Sequence, residues 1–388
     1  MKKIVTFFAM LIALIAFTSC TNNNNTPKEL KNEKISQEQK FGGVYIEITI
    51  DDFNKLGYNY GDSIDITFSN GYNLIDLPYY NGYYTNTGEE LLVGYPGYPY
   101  IKACINNGND LFKVAQLRDT DTANIKLNTK AKYKDIQEAL DIHYSDIQGA
   151  MTDEVFGNYR VVNVGNLKKD ILYRSASPDD NQHNRSKVVQ GLIGKVNTII
   201  NLSDNDGELA ENINKNDFNT SHYLDIYNNN RIIALSMNMN FKSVNGEEDE
   251  TPALFTQFTE NLFHTKLVSG LRFMLKNDGP YLVHCVEGKD RTGFVCMVIE
   301  AIAGASYDEI IADYMITYDN YYGINLNNNP TKYNIIKEKN IDEMLRTVIN
   351  DEKVDIKTAD YSKYIETYLL SKGLKKEEFD SLKAKITK

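Results

Sequence analysis

His284-Cys285-Val286-Glu287-Gly288-Lys289-Asp290-Arg291-Thr292-Gly293 decides how this chain is read. It follows Tyr281-Leu282-Val283, a short apolar run with buried-strand character, and leads into the apolar stretch that opens at Phe294-Val295. A strand ending at Cys285, a glycine-containing loop to Arg291 and a helix starting near Thr292 turn successive backbone N–H groups toward one point. That point sits at the positive end of a helix dipole and suits a tetrahedral dianion. Such a nest stabilises the thiolate of a cysteine held inside it, so Cys285 is the candidate nucleophile. Arg291 supplies a planar fork for two oxygens of the anion, and the Thr292 hydroxyl can donate a hydrogen bond to the sulfur. Val286, Glu287, Gly288 and Lys289 form the expected anion-binding surface.

The segment matches the signature His-Cys-x5-Arg-Thr/Ser, and the chain resembles the cysteine-based tyrosine and dual-specificity phosphatase superfamily. The form His-Cys-x-x-Gly-Lys-Asp-Arg-Thr-Gly is similar to its bacterial secreted branch. Asn158-Tyr159-Arg160, Leu172-Tyr173-Arg174-Ser175-Ala176, Ile199-Ile200-Asn201-Leu202 and Ala312-Asp313-Tyr314 resemble further motifs of that branch. The resemblance covers roughly 150–320. It implies hydrolysis of phosphomonoesters through a phosphocysteine intermediate, with no metal and no cofactor. Phosphotyrosine protein is the first substrate expectation, and phosphoinositides or inositol phosphates are the alternative within the class. Asn201-Leu202-Ser203 departs from the branch's Asp-Leu-Arg, so an acid or anion role at that strand end would fall to Asp204.

Individual residues carry competing readings. Asp290 is the expected general acid, because a bound dianion makes a neighbouring carboxyl hard to deprotonate. Its rivals are Asp249, in Asn245-Gly246-Glu247-Glu248-Asp249-Glu250-Thr251-Pro252, and Asp204. His284 is expected to be fixed by hydrogen bonds behind the nucleophile. Arg174 is either a second contact to the anion or part of an internal salt bridge. Cys296 reads as core packing, with a reversible disulfide to Cys285 as the alternative. Asp179-Asp180 reads as a solvated turn. On the loop, Lys289 and Glu287 offset each other, which weakens the pull on substrates carrying several phosphates.

Upstream the grammar changes. From 41 to about 130 the chain alternates like an all-β domain, a small barrel or sandwich, with strand candidates at 44–50, 63–68 and 91–95. Its aromatic run Pro78-Tyr79-Tyr80-Asn81-Gly82-Tyr83-Tyr84 reads as packing in that domain. Residues 131–388 read as an α/β domain, a mainly parallel central sheet flanked by helices, with a helical tail from Lys332. Leu254-Phe255-Phe258-Leu262-Phe263-Leu267-Leu271-Leu275 recurs at helical spacing.

Residues 1–20 have a charged start, an apolar run from Ile4 to Phe17 and a terminal cysteine, the pattern of a lipoprotein signal with Cys20 as lipid attachment. Residues 21–40 are polar and read as a flexible tether. The expected location is therefore the bacterial cell envelope, reached by export and held by an N-terminal lipid. With 388 residues, a net charge of −11 and 42% hydrophobic content, the chain is a two- or three-domain globular protein. Its acidity excludes a nucleic-acid binder working through a general basic surface. Four cysteines and five histidines argue against a disulfide scaffold and a structural metal site. A rival class is a surface binding protein whose β domain engages an unidentified ligand. The intact Cys285/Arg291 pair favours the enzyme.

Overall fold

Seven strands close a barrel at the N-terminal end: β1 Leu30–Gln37, β2 Val44–Ile46, β3 Ser63–Phe68, β4 Asn73–Tyr80, β5 Glu90–Val93, β6 Ile101–Ile105 and β7 Thr122–Thr129. Their order is β1-β2-β6-β5-β4-β3-β7, closed by pairing β7 with β1. All neighbours are antiparallel except β4 and β5, which run parallel through Tyr79↔Leu92 and Tyr80↔Val93. Ile46, Ile64, Ile66, Leu92, Ile101 and Ile125 fill the interior. The computed structural model describes residues 27–86, 88–237, 241–242, 248–249 and 261–388, with side chains from 27–86, 88–237 and 263–388. The expected signal segment, Cys20 and the first part of the tether lie outside the described residues.

Two expectations for this half are corrected. Residues 30–37, read as tether, form β1. A barrel strand needs few inward side chains when its backbone satisfies both neighbours. Here Ile35 is the fully buried one, and the polar remainder masks the strand. The strand candidate at 44–50 stops at Ile46, because Thr49 caps a helix over Ile50–Lys55 by accepting from the Asp52 amide at 3.1 Å. Capping chemistry overrides the alternating pattern there. The aromatic run divides: Tyr79 and Tyr80 are buried in the barrel wall, while Tyr83 and Tyr84 are half-buried.

The second half is built on a five-stranded sheet in the order β11-β10-β14-β9-β8. These are β8 Arg160–Val161, β9 Leu172–Ser175, β10 Thr198–Asn201, β11 Ile232–Ala234 and β14 Tyr281–His284. A short antiparallel ribbon of β12 Phe241–Lys242 and β13 Glu248–Asp249 intervenes in sequence. β11, β10, β14 and β9 are mutually parallel, and β8 is an antiparallel edge. β14 is central and wholly buried, so its carboxyl end opens where a parallel sheet binds ligands. One face carries helix Asp290–Ile302 and the helix Asn261–Lys276, in which Phe263, Leu267 and Leu271 are buried as their spacing predicts. Leu254, Phe255 and Phe258 lie outside the described residues. The tail forms helices Pro330–Lys339, Ile341–Ile349, Tyr361–Ser371 and Lys376–Ile386.

Candidate active site

The loop between β14 and helix Asp290–Ile302 is held from outside by its carbonyls. The Val286 carbonyl accepts from the Ser177 amide at 3.0 Å, and the Lys289 carbonyl from the Gly293 amide at 2.8 Å. The Glu287 carbonyl accepts from Tyr321 Oη at 2.6 Å and Asn158 Nδ2 at 3.3 Å. The Gly288 carbonyl accepts from Asn158 Nδ2 at 3.2 Å and Arg174 Nη2 at 3.1 Å. A trans peptide sets its N–H opposite its C=O, so carbonyls pulled outward leave the intervening amides facing the loop's centre. Gly288 permits this turn. Its φ is +68°, and a Cβ there would meet the Ser175 carbonyl oxygen at 2.2 Å.

The motifs scattered upstream and downstream converge behind this loop. Asp313 accepts from Arg160 Nε at 3.1 Å and from Arg174 Nη1 at 2.5 Å, and Arg160 Nη1 donates to Asn158 Oδ1 at 2.7 Å. Burial pushes the Asp313 carboxyl up, but the two guanidinium groups outweigh it and hold it at about 2. Arg174 is 1% exposed. It therefore occupies the internal-salt-bridge role, not that of a substrate contact, and braces the loop.

Cys285 is buried at the strand's end, and Thr292 Oγ1 is buried with no hydrogen-bond partner. Arg291 lies in the first helical turn, where its charge acts on Asp180, His284 and Asp290. His284 is fully buried, and burial, reinforced by Arg291, pushes its imidazole down to about 3. It is neutral. No side chain hydrogen-bonds either ring nitrogen, and the Asp179 carboxylate stands 3.8 Å from Nε2. The ring lies on the wholly buried β14 strand, against the Cys285 backbone.

Asp290 keeps 38% of its side chain exposed, yet its enclosed surroundings raise its carboxyl, against the pull of Lys289. Tyr314 Oη donates to its Oδ1 at 3.4 Å. Lys289 Nζ reaches Glu287 Oε2 at 2.9 Å, Asp290 Oδ2 at 3.8 Å and Tyr322 Oη at 3.4 Å. The loop's one lysine is thus answered by carboxylates of the same loop.

Asp204 is buried and accepts from Asn201 Nδ2 at 2.7 Å; the same amide reaches Asp179 at 3.2 Å. Its carboxylate holds Asn201 rather than presenting itself at the surface. Asp179, read as part of a solvated turn, is buried instead, and burial together with Asp204 pushes it far toward the protonated form. Ser177 Oγ supplies its hydrogen bond at 2.9 Å, which is what lets a turn carboxyl go inside. Asp180, read with Asp179 as a solvated turn, is half-buried, and burial raises its carboxyl against the pull of Arg291. Sequence reasoning missed Tyr318, Tyr321 and Tyr322, though their spacing puts them along one helix surface, and Tyr144, which stacks on Tyr321 with ring centroids 5.0 Å apart. Asp249 lies on β13 with its side chain outside the described residues, as are 245–247 and 250–252. Cys104, Cys285 and Cys296 are all free thiols, and Cys296 is buried beside Arg174 and Glu300. Among the described residues no group of three or more His, Cys, Asp or Glu side chains is arranged to hold a metal.

A model of the tyrosine phosphatase family matches residues 155–388, more than half the chain and all of this loop. The chain belongs to the tyrosine phosphatase family. This phosphatase is a hydrolase of phosphoric monoesters. A solved structure it resembles is the core catalytic domain of the PP-IP phosphatase SIW14 from S. cerevisiae in complex with citrate. The identity is 19%, covering 49% of this chain and 90% of that one, with a TM-score of 0.23. No curated protein matches the phosphatase.

Proposed function

We propose that the protein is an exported protein-tyrosine phosphatase working through a phosphocysteine on Cys285. The observation that carries this reading is the loop whose carbonyls are tied outward around Cys285, with Arg291 at the start of the following helix. The Cys285 sulfur attacks phosphorus, and the bond to the tyrosine oxygen breaks. Inward amides and the Arg291 fork hold the phosphoryl oxygens as charge shifts among them. Asp290 donates its proton to the departing phenolic oxygen, and as a carboxylate then takes a proton from the water that attacks the phosphocysteine. Thr292 donates to the sulfur as it leaves. His284, neutral and packed, adds no charge behind the thiolate.

Phosphotyrosine is preferred over multiply phosphorylated inositols because Lys289 is already paired with Glu287 and lies beside Asp290. Cys20 carries the lipid, and the catalytic domain occupies 131–388 behind the barrel. The deciding experiment is turnover of p-nitrophenyl phosphate and of a phosphotyrosine peptide with EDTA present. Full activity is expected from the wild type, and Cys285→Ser should retain substrate binding with under about a tenth of the rate. A Cys285→Ser enzyme above that level would overturn the phosphocysteine.

A further inference from the structure

A cleft of about 220 Å³ lies between the barrel and the α/β domain, and Lys289 and Asp290 of the catalytic loop form part of its lining. Tyr84 and Asn86 line it from the barrel side, Tyr322 and Lys339 from the other. We propose that this cleft is a subsite for the polypeptide flanking the phosphorylated residue, so that the barrel supplies one wall of the substrate site. The inference rests on the protein-phosphatase reading and adds to it the part of the substrate beyond the phosphate.

Position is the first argument. Asp290 immediately precedes Arg291 and lines the cleft together with Lys289, so the cleft adjoins the loop that would hold the phosphate. Size is the second. A pocket that encloses a whole small molecule spans roughly 300–1,000 Å³. At about 220 Å³ this cleft takes part of a larger ligand instead.

Chemistry is the third argument. The lining is rich in tyrosine rings and asparagine amides, which offer apolar faces beside donors and acceptors suited to peptide groups. Its cations are already engaged. Lys289 is 2.9 Å from Glu287, and Lys339 Nζ donates to Asn86 Oδ1 at 2.8 Å across the domain boundary. Glu343 adds a carboxylate to the same lining. A site for several phosphates needs uncommitted positive charge, and these lysines would first have to break existing contacts. The wall is also pre-set: Tyr83, next to Tyr84, shares a 2.7 Å hydrogen bond with Tyr98. A rigid wall loses little entropy when a peptide docks.

The test uses the full chain and Asn86→Trp, which places a bulky ring in the cleft from an exposed position. Three substrates are compared: p-nitrophenyl phosphate, a phosphotyrosine peptide of about ten residues and inositol hexakisphosphate. The expected result is a drop of at least about tenfold in the ratio of peptide to p-nitrophenyl phosphate kcat/KM, carried by KM. An unchanged ratio overturns the subsite, as does a loss confined to inositol hexakisphosphate. Calorimetric titration of the peptide into Cys285→Ser, with and without Asn86→Trp, reads the subsite independently of turnover. Binding at least about tenfold weaker with the tryptophan supports it, and equal binding overturns it. A wild type that leaves both p-nitrophenyl phosphate and the peptide intact sinks the catalytic reading, while the titration still decides the subsite.

Discussion

Asp290 shows how one side chain is tuned by what surrounds it. Enclosure and Glu287 raise its carboxyl, Lys289 and Arg291 lower it, and the balance leaves it raised. A general acid typically contributes about 10²–10⁴-fold, and more to a poor leaving group than to an activated one. Asp290→Asn should therefore slow phosphotyrosine hydrolysis by about that factor while slowing p-nitrophenyl phosphate far less. Steady-state rates on the two substrates check this, and equal losses would assign Asp290 to shaping the loop. His284 gives a prediction about pH. Its imidazole stays neutral in the fold down to about 3, whereas the free side chain takes a proton near 6.5. Below that value the unfolded chain binds a proton that the folded chain refuses, so stability falls as pH drops from 6.5 toward 3. The unfolding free energy of wild type minus His284→Asn should decline by up to about 1.4 kcal/mol per pH unit over that window. Denaturant titrations at stepped pH measure it; a constant difference would mean the ring is charged when folded.

At the scale of elements, the catalytic loop owes its shape to pieces far away in sequence. β8, β9 and the helix Tyr307–Tyr322 contribute Arg160, Arg174 and Asp313, which join through Asn158 to the loop's carbonyls. A buried ion pair that loses one partner leaves the other charge stranded, at a cost of about 3–5 kcal/mol. Arg174→Met should accordingly destabilise the protein by about that amount, since Asp313 keeps only Arg160. Where the variant still folds, it should lose kcat while p-nitrophenyl phosphate competes no worse against inorganic phosphate. A variant with normal kcat would separate the brace from the chemistry. Arg160→Lys, which keeps the charge but loses the fork, is the milder companion.

For the molecule as a whole, the barrel and the phosphatase domain are linked by chain and by contact. Residues 141–151 bring Tyr144 against Tyr321, and the guanidinium of Arg185 lies 4.7 Å over the Tyr144 ring and 4.9 Å over the Tyr321 ring. Lys339 and Asn86 also bridge the boundary. The proposed lipid on Cys20 would place this assembly at a membrane surface. Cys20→Ser should move the protein from the membrane pellet to the soluble exported fraction and abolish labelling by a fatty-acid analogue. Retention in the pellet with no label would refute the anchor. Activity on p-nitrophenyl phosphate should be the same in both fractions, because the loop is remote in sequence from residue 20.

The sequence by itself determined the strand–loop–helix at 281–302, the nucleophile and arginine candidates, and the alternation of β14 and its neighbours with helices. Those features depend on local rules: a hydrophobic run, a glycine that must turn with positive φ, a helix that begins beside an anion nest. It also separated the β-rich first half from the rest through its turn residues. Only the tertiary structure decided what Arg174 does, because a lone arginine at a strand end reads the same whether it meets a substrate or a buried aspartate 139 residues away. The same holds for Asp179, whose burial depends on Ser177 and Asn201 closing around it. It holds as well for β1, a polar segment that becomes a strand because two other strands wait for its backbone. Long-range pairing carries no local signature, and the tyrosines of the helix Tyr307–Tyr322 meet Lys289 and Asp290 only once that helix packs against the loop.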